Sequence, residues 1–99
     1  MQRWLRAAVG ALGCVALTAI AQDEGKRLFT TAVPACALCH KLKDAGAAGE
    51  VGPSLDELKP DAARVAKALK NGVGQMPAFP HLSEAQVQAI ARYVEKAAR

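Results

Sequence analysis

Apolar residues recur with helical spacing near the end of the chain. Four of them follow the i, i+3, i+4, i+7 pattern that places side chains on one face of a helix: Val87, Ile90, Ala91 and Val94. Ser83 and Gln86 fit a capping box at the start of this stripe, in which each side chain bonds the backbone of the other residue. The pattern predicts an amphipathic helix that begins after Ser83.

Two further helices are predicted earlier in the chain. Segment 23–31 begins with acidic residues, which favour a helix N-terminus, and ends before Pro34, because the residue before a proline avoids helical backbone. Segment 61–71 carries an apolar stripe and is followed by Gly72, a typical helix stop. The stripe consists of Ala62, Val65, Ala66 and Leu69.

The remaining segments favour turns and loops. A helical turn is expected over residues 36–43, followed by an irregular loop over 46–53 and a second loop over 73–80, both rich in glycine and proline. No window alternates apolar and polar residues with period two, so no strand is predicted. The predicted fold class is all-α, with three to four short helices.

The first 21 residues have the layout of a secretory signal peptide. Two arginines and no acid precede an apolar run over 7–21, and Ala19-Ile20-Ala21 fits the small-x-small cleavage rule. A membrane span would need about twenty apolar residues, which this run does not provide. Lipidation at Cys14 is a second way to process the same segment. We expect cleavage after Ala21, a periplasmic protein with no remaining membrane span, and one domain over residues 22–99.

The net charge gives no reason to expect a nucleic-acid partner. The 99-residue chain has a formal charge of +4, which falls to +2 when Arg3 and Arg6 leave with the signal peptide. No basic cluster is interleaved with aromatic residues, so we expect no nucleic-acid binding.

Residues 36–40 read C-x-x-C-H, the pattern for covalent attachment of a c-type haem. Cys36 and Cys39 can each add to one vinyl group of the same porphyrin, and His40 can then bind the iron as proximal ligand. The motif predicts one haem c. A thiol–disulfide redox pair would want a βαβ context, and a structural zinc site would want a second ligand pair. An incidental cysteine pair is the third alternative.

Met76 is the predicted ligand on the other face of the haem. It is the only methionine outside the signal peptide, and it lies in the second loop, where it can fold back over the iron. A thioether ligand raises the reduction potential relative to two histidines. His81, five residues further on, is the rival ligand, and an open site without a distal ligand is the third possibility.

Several motifs together resemble the class I monohaem cytochromes c, in the expected order over residues 22–99. Besides the haem motif, these are Gly25 and Phe29 on the first helix, Ile90 and Tyr93 on the last, Gly52-Pro53-Ser54-Leu55 and Met76-Pro77-Ala78-Phe79. The resemblance implies the class I cytochrome c fold wrapped around one covalently bound haem. It implies that the two terminal helices cross at Gly25, and that the Pro53 carbonyl accepts a hydrogen bond from His40. The cofactor-binding residues it implies are Cys36, Cys39, His40, Pro53, Leu55 and Met76, with His40 and Met76 on the metal.

The function that follows is one-electron transfer by a periplasmic carrier, not catalysis. Its partners would be redox proteins. Four lysines could ring the haem edge and steer an acidic partner, and the alternative for each is an ordinary solvated position: Lys41, Lys43, Lys67 and Lys70. The alternative is the haem subunit of a periplasmic oxidoreductase such as a sulfite dehydrogenase, docked through an apolar surface. That surface would comprise Val73, Ala78, Phe79 and Pro80. A haem-based sensor is a third class. Candidates to hold the haem propionates are Lys59, Gln75 and Tyr93.

Overall fold

The computed structural model describes residue 20 and residues 22–99. This part of the chain contains five helices: α1 over residues 22–31, α2 over Cys36–Cys39, α3 over Leu55–Leu58, α4 over Ala62–Asn71 and α5 over Glu84–Ala97. None of the helices in the described residues is long and apolar enough to cross a membrane. The predicted signal peptide, its cleavage site and Cys14 lie outside the described residues, apart from Ile20.

The three longest helices agree with the sequence predictions, and capping side chains set their starts. Asp61 precedes α4, and its Oδ1 accepts the backbone N–H of Arg64 at 2.8 Å. The predicted capping box at α5 is confirmed: Ser83 Oγ accepts the Gln86 N–H at 3.1 Å, and Gln86 Oε1 accepts the Ser83 N–H at 2.9 Å. These bonds satisfy backbone donors that a helix start leaves free.

The segment between α2 and α4 differs from its prediction. The helical turn expected over 36–43 ends at Cys39, and a two-residue strand β1, Lys41–Leu42, pairs antiparallel with β2, Ala47–Ala48. A 3₁₀ turn, Lys43–Ala45, joins the strands. Helix α3 was not predicted, so the described residues form five helices instead of three to four, while the predicted all-α class is confirmed. Each of these elements is too short to show a period in the sequence.

Helices α1 and α5 cross closely at Gly25, as the resemblance implies. A Cβ at Gly25 would collide with the Ala89 carbonyl oxygen and would lie 2.5 Å from Tyr93 Cβ, so only glycine permits this approach. One turn further along α1, the Phe29 ring meets the Tyr93 ring edge to face, with centroids 6.1 Å apart. Ile90 is buried in the same core.

Helix α4 packs against α5, and two polar contacts join them. Glu95 Oε2 accepts the backbone N–H of Ala62 at 2.5 Å, so a carboxylate from α5 satisfies a free donor in the first turn of α4. At the other end, Lys70 Nζ lies 2.9 Å from the Glu84 carboxylate. The two helices therefore form one wall of the core, with Leu69 and Val94 fully buried.

Candidate functional site

One cavity of about 580 Å³ brings the predicted cofactor-binding residues together. Cys36, Cys39 and His40 line it from α2 and the residue after it, and Met76 lines it from the second loop. Pro53 and Leu55 line it as well. The volume falls within the range of about 300–1,000 Å³ that is usual for cofactor sites. All six predicted residues therefore face a single cavity.

The His40 ring is fixed by the loop that runs beneath it. Its Nδ1 lies 2.8 Å from the carbonyl oxygen of Pro53. A carbonyl can only accept, so Nδ1 carries the proton and Nε2 keeps its lone pair. Gly52 makes this contact possible, because a Cβ there would lie 2.5 Å from His40 Cε1 and 2.8 Å from Nδ1. The backbone thus selects the tautomer that leaves Nε2 free to bind a metal.

The two thiols of α2 also face apolar surroundings. Both cysteines are free and half-buried. Burial raises the pKa of the Cys36 thiol to about 11, because apolar surroundings disfavour the thiolate. Catalytic redox cysteines in C-x-x-C motifs show the opposite shift, towards a more stable thiolate. The burial of Cys36 therefore does not support a catalytic thiol–disulfide pair.

Met76 is presented by a tight turn in the loop after α4. The backbones of Val73 and Met76 exchange two hydrogen bonds, with N–O distances of 3.1 and 2.8 Å. Gly72, with φ +73°, lies so close that a Cβ there would be 2.8 Å from the Met76 carbonyl oxygen. The Phe79 N–H donates to the Leu69 carbonyl at 2.7 Å, which ties the loop back to α4. The turn is therefore anchored on both sides of Met76.

His81, the rival distal ligand, does not line the cavity. It is exposed, and its ring stacks at a tilt on Phe79, with centroids 5.6 Å apart. Between the two candidates for the distal position, only Met76 faces the site.

The residues with predicted surface roles lie in different places. Phe79 is buried, so it does not belong to an exposed apolar surface, although Val73 is 63% exposed. Val51, which the sequence analysis missed, is 76% exposed and lines the cavity rim with Val73. Of the four lysines expected around the haem edge, only Lys67 lines the cavity. Lys70 pairs with Glu84, and Lys43 lines a separate groove with Asp44 and Lys59.

The three residues predicted as candidates for propionate binding do not all line the cavity. The Tyr93 hydroxyl donates to Asp44 Oδ2 at 2.5 Å, away from the cavity, and Lys59 belongs to the separate groove. Of the three candidates, only Gln75 lines the cavity. Arg64 and Lys67 of α4 line it too. Their position could not be predicted from the sequence, because charged residues on a helix usually form its solvated face.

The lining fits a haem c. Five deeply buried side chains form its apolar floor: Phe29, Leu69, Phe79, Ile90 and Val94. A flat apolar macrocycle suits such a floor, two thiols are available for thioether bonds, and imidazole and thioether are donors typical of haem iron. Within the described ranges, no group of three or more His, Cys, Asp and Glu side chains is arranged around a metal position.

Comparisons with known proteins agree with this fit. The sequence model of the family described as "Cytochrome C oxidase, cbb3-type, subunit III" matches residues 20–94. The crystal structure of the c-type cytochrome SorU from Sinorhizobium meliloti is similar to this chain, with 51% sequence identity and a TM-score of 0.78. The likeness covers 79% of this chain and 91% of that one. The search of curated proteins finds no significant match.

Proposed function

The chain belongs to the class I monohaem cytochromes c, and we propose that it is a periplasmic one-electron carrier. In this proposal Cys36 and Cys39 hold one haem c through thioether bonds, and His40 and Met76 are its axial ligands. The observation that carries it is the meeting of these four side chains in one cavity. The haem, when bound, supplies an iron that accepts and returns a single electron.

The protein's part is to hold both ligands in fixed positions. The hydrogen bond from His40 Nδ1 to the Pro53 carbonyl orients the imidazole and increases its basicity. The paired backbones of Val73 and Met76 hold the thioether from the other side. Ligands fixed in this way need not move when the charge on the metal changes, so reorganisation during electron transfer is small.

The apolar lining of the cavity raises the expected reduction potential. The lining includes fully buried Leu69, Ile90 and Val94, which create surroundings of low dielectric constant. Such surroundings disfavour the oxidation state of higher charge, and a methionine ligand acts in the same direction. We therefore expect a potential well above that of a bis-histidine cytochrome.

Redox titration of the holoprotein, made with the haem-maturation machinery, tests the carrier and its ligands together. The wild type should give one reversible one-electron wave. Met76→Ala should lower the potential and open the ferrous form to carbon monoxide, because a ligand position becomes free. His81→Ala is the matched control and should change neither property. If the potential falls and carbon monoxide binds in His81→Ala but not in Met76→Ala, the distal ligand is His81 and not Met76.

The periplasmic location rests on the predicted signal peptide over residues 1–21. The mass of the exported protein tests it: cleavage after Ala21 leaves a chain that starts at Gln22, plus the mass of one haem. Recovery of the full-length chain in the membrane fraction, or of a lipid attached to Cys14, would contradict the proposal.

A second candidate, the haem subunit of a periplasmic oxidoreductase, is favoured by one observation. Val51 and Val73 are largely exposed at the cavity rim, where an apolar partner surface would cover them. The two candidates differ in size during gel filtration of the native periplasmic extract. A free carrier should elute as a small protein, whereas a subunit should elute in a stable complex. Val51→Ser with Val73→Ser should release it from such a complex.

A further inference from the structure

We propose that Arg64 and Lys67 of α4 bind the two propionate carboxylates of the haem. This inference rests on the proposed function, because it requires a haem in the cavity.

Both side chains belong to the same face of α4. They are three residues apart, a spacing that places neighbouring side chains one above the other along a helix. Both line the cavity, together with Val65 and Ala68 of the same helix. The apolar part of this face would therefore contact a bound porphyrin, and the two cations would lie beside it.

The lining is unbalanced in charge. Among the described residues that line the cavity, Arg64 is the one arginine and Lys67 is the one lysine. No aspartate or glutamate lines it. A haem brings two carboxylates, one for each cation. Arginine suits this role because its planar guanidinium can donate two parallel hydrogen bonds to one carboxylate, while lysine adds a point charge.

In the described part of the chain, neither cationic side chain forms a hydrogen bond or an ion pair with another residue. Arg64 uses only its backbone N–H, which donates to Asp61, and the Lys67 ammonium makes no hydrogen bond or ion pair there. Other cations in the protein behave differently. Arg27 pairs with Glu24 at 2.7 Å, and Lys70 pairs with Glu84.

The positions of α2 and α4 agree with the layout of the cofactor. The vinyl groups that form thioethers and the propionates lie on opposite edges of the porphyrin. Cys36 and Cys39 on α2 receive the vinyl edge. Residues of α2 and of α4 both line the cavity. A haem held through Cys36 and Cys39 would turn its propionate edge away from α2, and the two cations that line the cavity belong to α4.

The test compares Arg64→Gln and Lys67→Gln with two control variants that make the same charge change outside the cavity. Arg92→Gln and Lys96→Gln serve as controls, because both residues are exposed on α5 and neither lines the cavity. Loss of a cation that contacts a propionate should lower the reduction potential, since the ferric state carries the higher positive charge. We expect a clearly larger drop in the α4 variants than in the controls. Equal drops in both pairs would overturn the inference.

A second readout reports contact directly. In the ferrous, diamagnetic holoprotein, the Nε–H proton of Arg64 should exchange with solvent on the order of tenfold more slowly than that of Arg92, because a hydrogen-bonded donor is protected. Exchange at the same rate would contradict propionate binding by Arg64.

The two proposals fail in different ways. If the wild type carries no covalent haem, the proposed function fails before any variant is compared. If it carries haem with unchanged ligand spectra, and the α4 variants behave as the controls do, only the assignment of Arg64 and Lys67 fails.

Discussion

Nδ1 of His40 lies 2.8 Å from the carbonyl oxygen of Pro53, thirteen residues further along the chain. This contact joins the end of the C-x-x-C-H motif to the loop that precedes α3. It fixes the imidazole tautomer, so that Nε2 keeps its lone pair. The same loop supplies Gly52, whose missing side chain leaves room for the ring. Orientation of the proximal ligand is thus a property of the backbone at residues 52–53.

Gly52→Ala should displace the His40 ring. The added Cβ would lie 2.5 Å from Cε1 and 2.8 Å from Nδ1, so either the ring or the loop must move. We expect a loss of about 1–3 kcal/mol in the free energy of unfolding of the holoprotein, together with a lower yield of attached haem. Denaturant titration and the haem-to-protein ratio measure the two effects. The control is Glu50→Ala, a substitution at an exposed position nearby. If Gly52→Ala has the same stability and haem content as this control, the close contact is unimportant.

Gly25→Ala should separate α1 from α5. In an open helix this change would stabilise by up to about 1 kcal/mol, because alanine is the better helix former. Here the Cβ would collide with the Ala89 carbonyl and lie 2.5 Å from Tyr93 Cβ. We therefore expect a net loss of about 1–3 kcal/mol in the free energy of unfolding, measured by denaturant titration. Lys26→Ala, on the exposed side of the same helix, should have little effect. A stabilised Gly25→Ala protein would contradict the crossing geometry.

Tyr93 should resist ionisation in the native protein. Burial, followed by the hydrogen bond to Asp44, raises the pKa of its hydroxyl above the usual value of about 10. An unfolded chain ionises at about pH 10, so the stability due to this shift is fully present below that pH and is lost as the pH rises beyond it. Tyr93 is the only tyrosine, so tyrosinate absorbance reports on it alone.

That absorbance should therefore be absent at pH 10.5 in the native protein, about half a unit above the unperturbed pKa, and present in urea. Asp44→Asn is the matched variant, since it keeps an acceptor but removes the charge. It should bring the onset of ionisation to lower pH. Equal titration curves for native and unfolded wild type would contradict the buried hydrogen bond.

Glu95→Gln should weaken the junction between α4 and α5. The Glu95 carboxylate accepts the Ala62 N–H at 2.5 Å, and an amide oxygen is a weaker acceptor than a carboxylate. We expect a loss of about 1 kcal/mol in the free energy of unfolding. Glu57→Gln makes the same chemical change at an exposed position and should be close to neutral. If both variants unfold at the same denaturant concentration, the contact contributes nothing measurable.

Features with a dedicated local signature could be predicted from the sequence. The close approach at Gly25 and the contact between His40 and Pro53 were predicted through the family resemblance. The capping box at Ser83 depends on two residue types at a fixed spacing. The stripe on α5 was visible for the same reason, because four buried residues repeat with the helical period. At these positions the local sequence and the tertiary structure favour the same residues.

Features that depend on distant partners and belong to no family motif could not be predicted. Asp44 is 49 residues from Tyr93, and their hydrogen bond removed Tyr93 from the propionate candidates. Arg64 and Lys67 look like an ordinary solvated helix face until the cavity is seen beside them. Helix α3 and strands β1 and β2 are two to four residues long, so the surrounding structure, not a sequence period, determines them.

Paired ferric and ferrous absorption spectra of the haem-loaded periplasmic protein test the central claim most directly. With His40 and Met76 on the iron, the ferrous form should give the sharp bands of a low-spin c-type haem. The ferric form should add the weak far-red band typical of methionine–iron ligation. High-spin spectra, or low-spin spectra without the far-red band, would contradict the assignment of Met76. Absence of covalently bound haem would contradict the whole account.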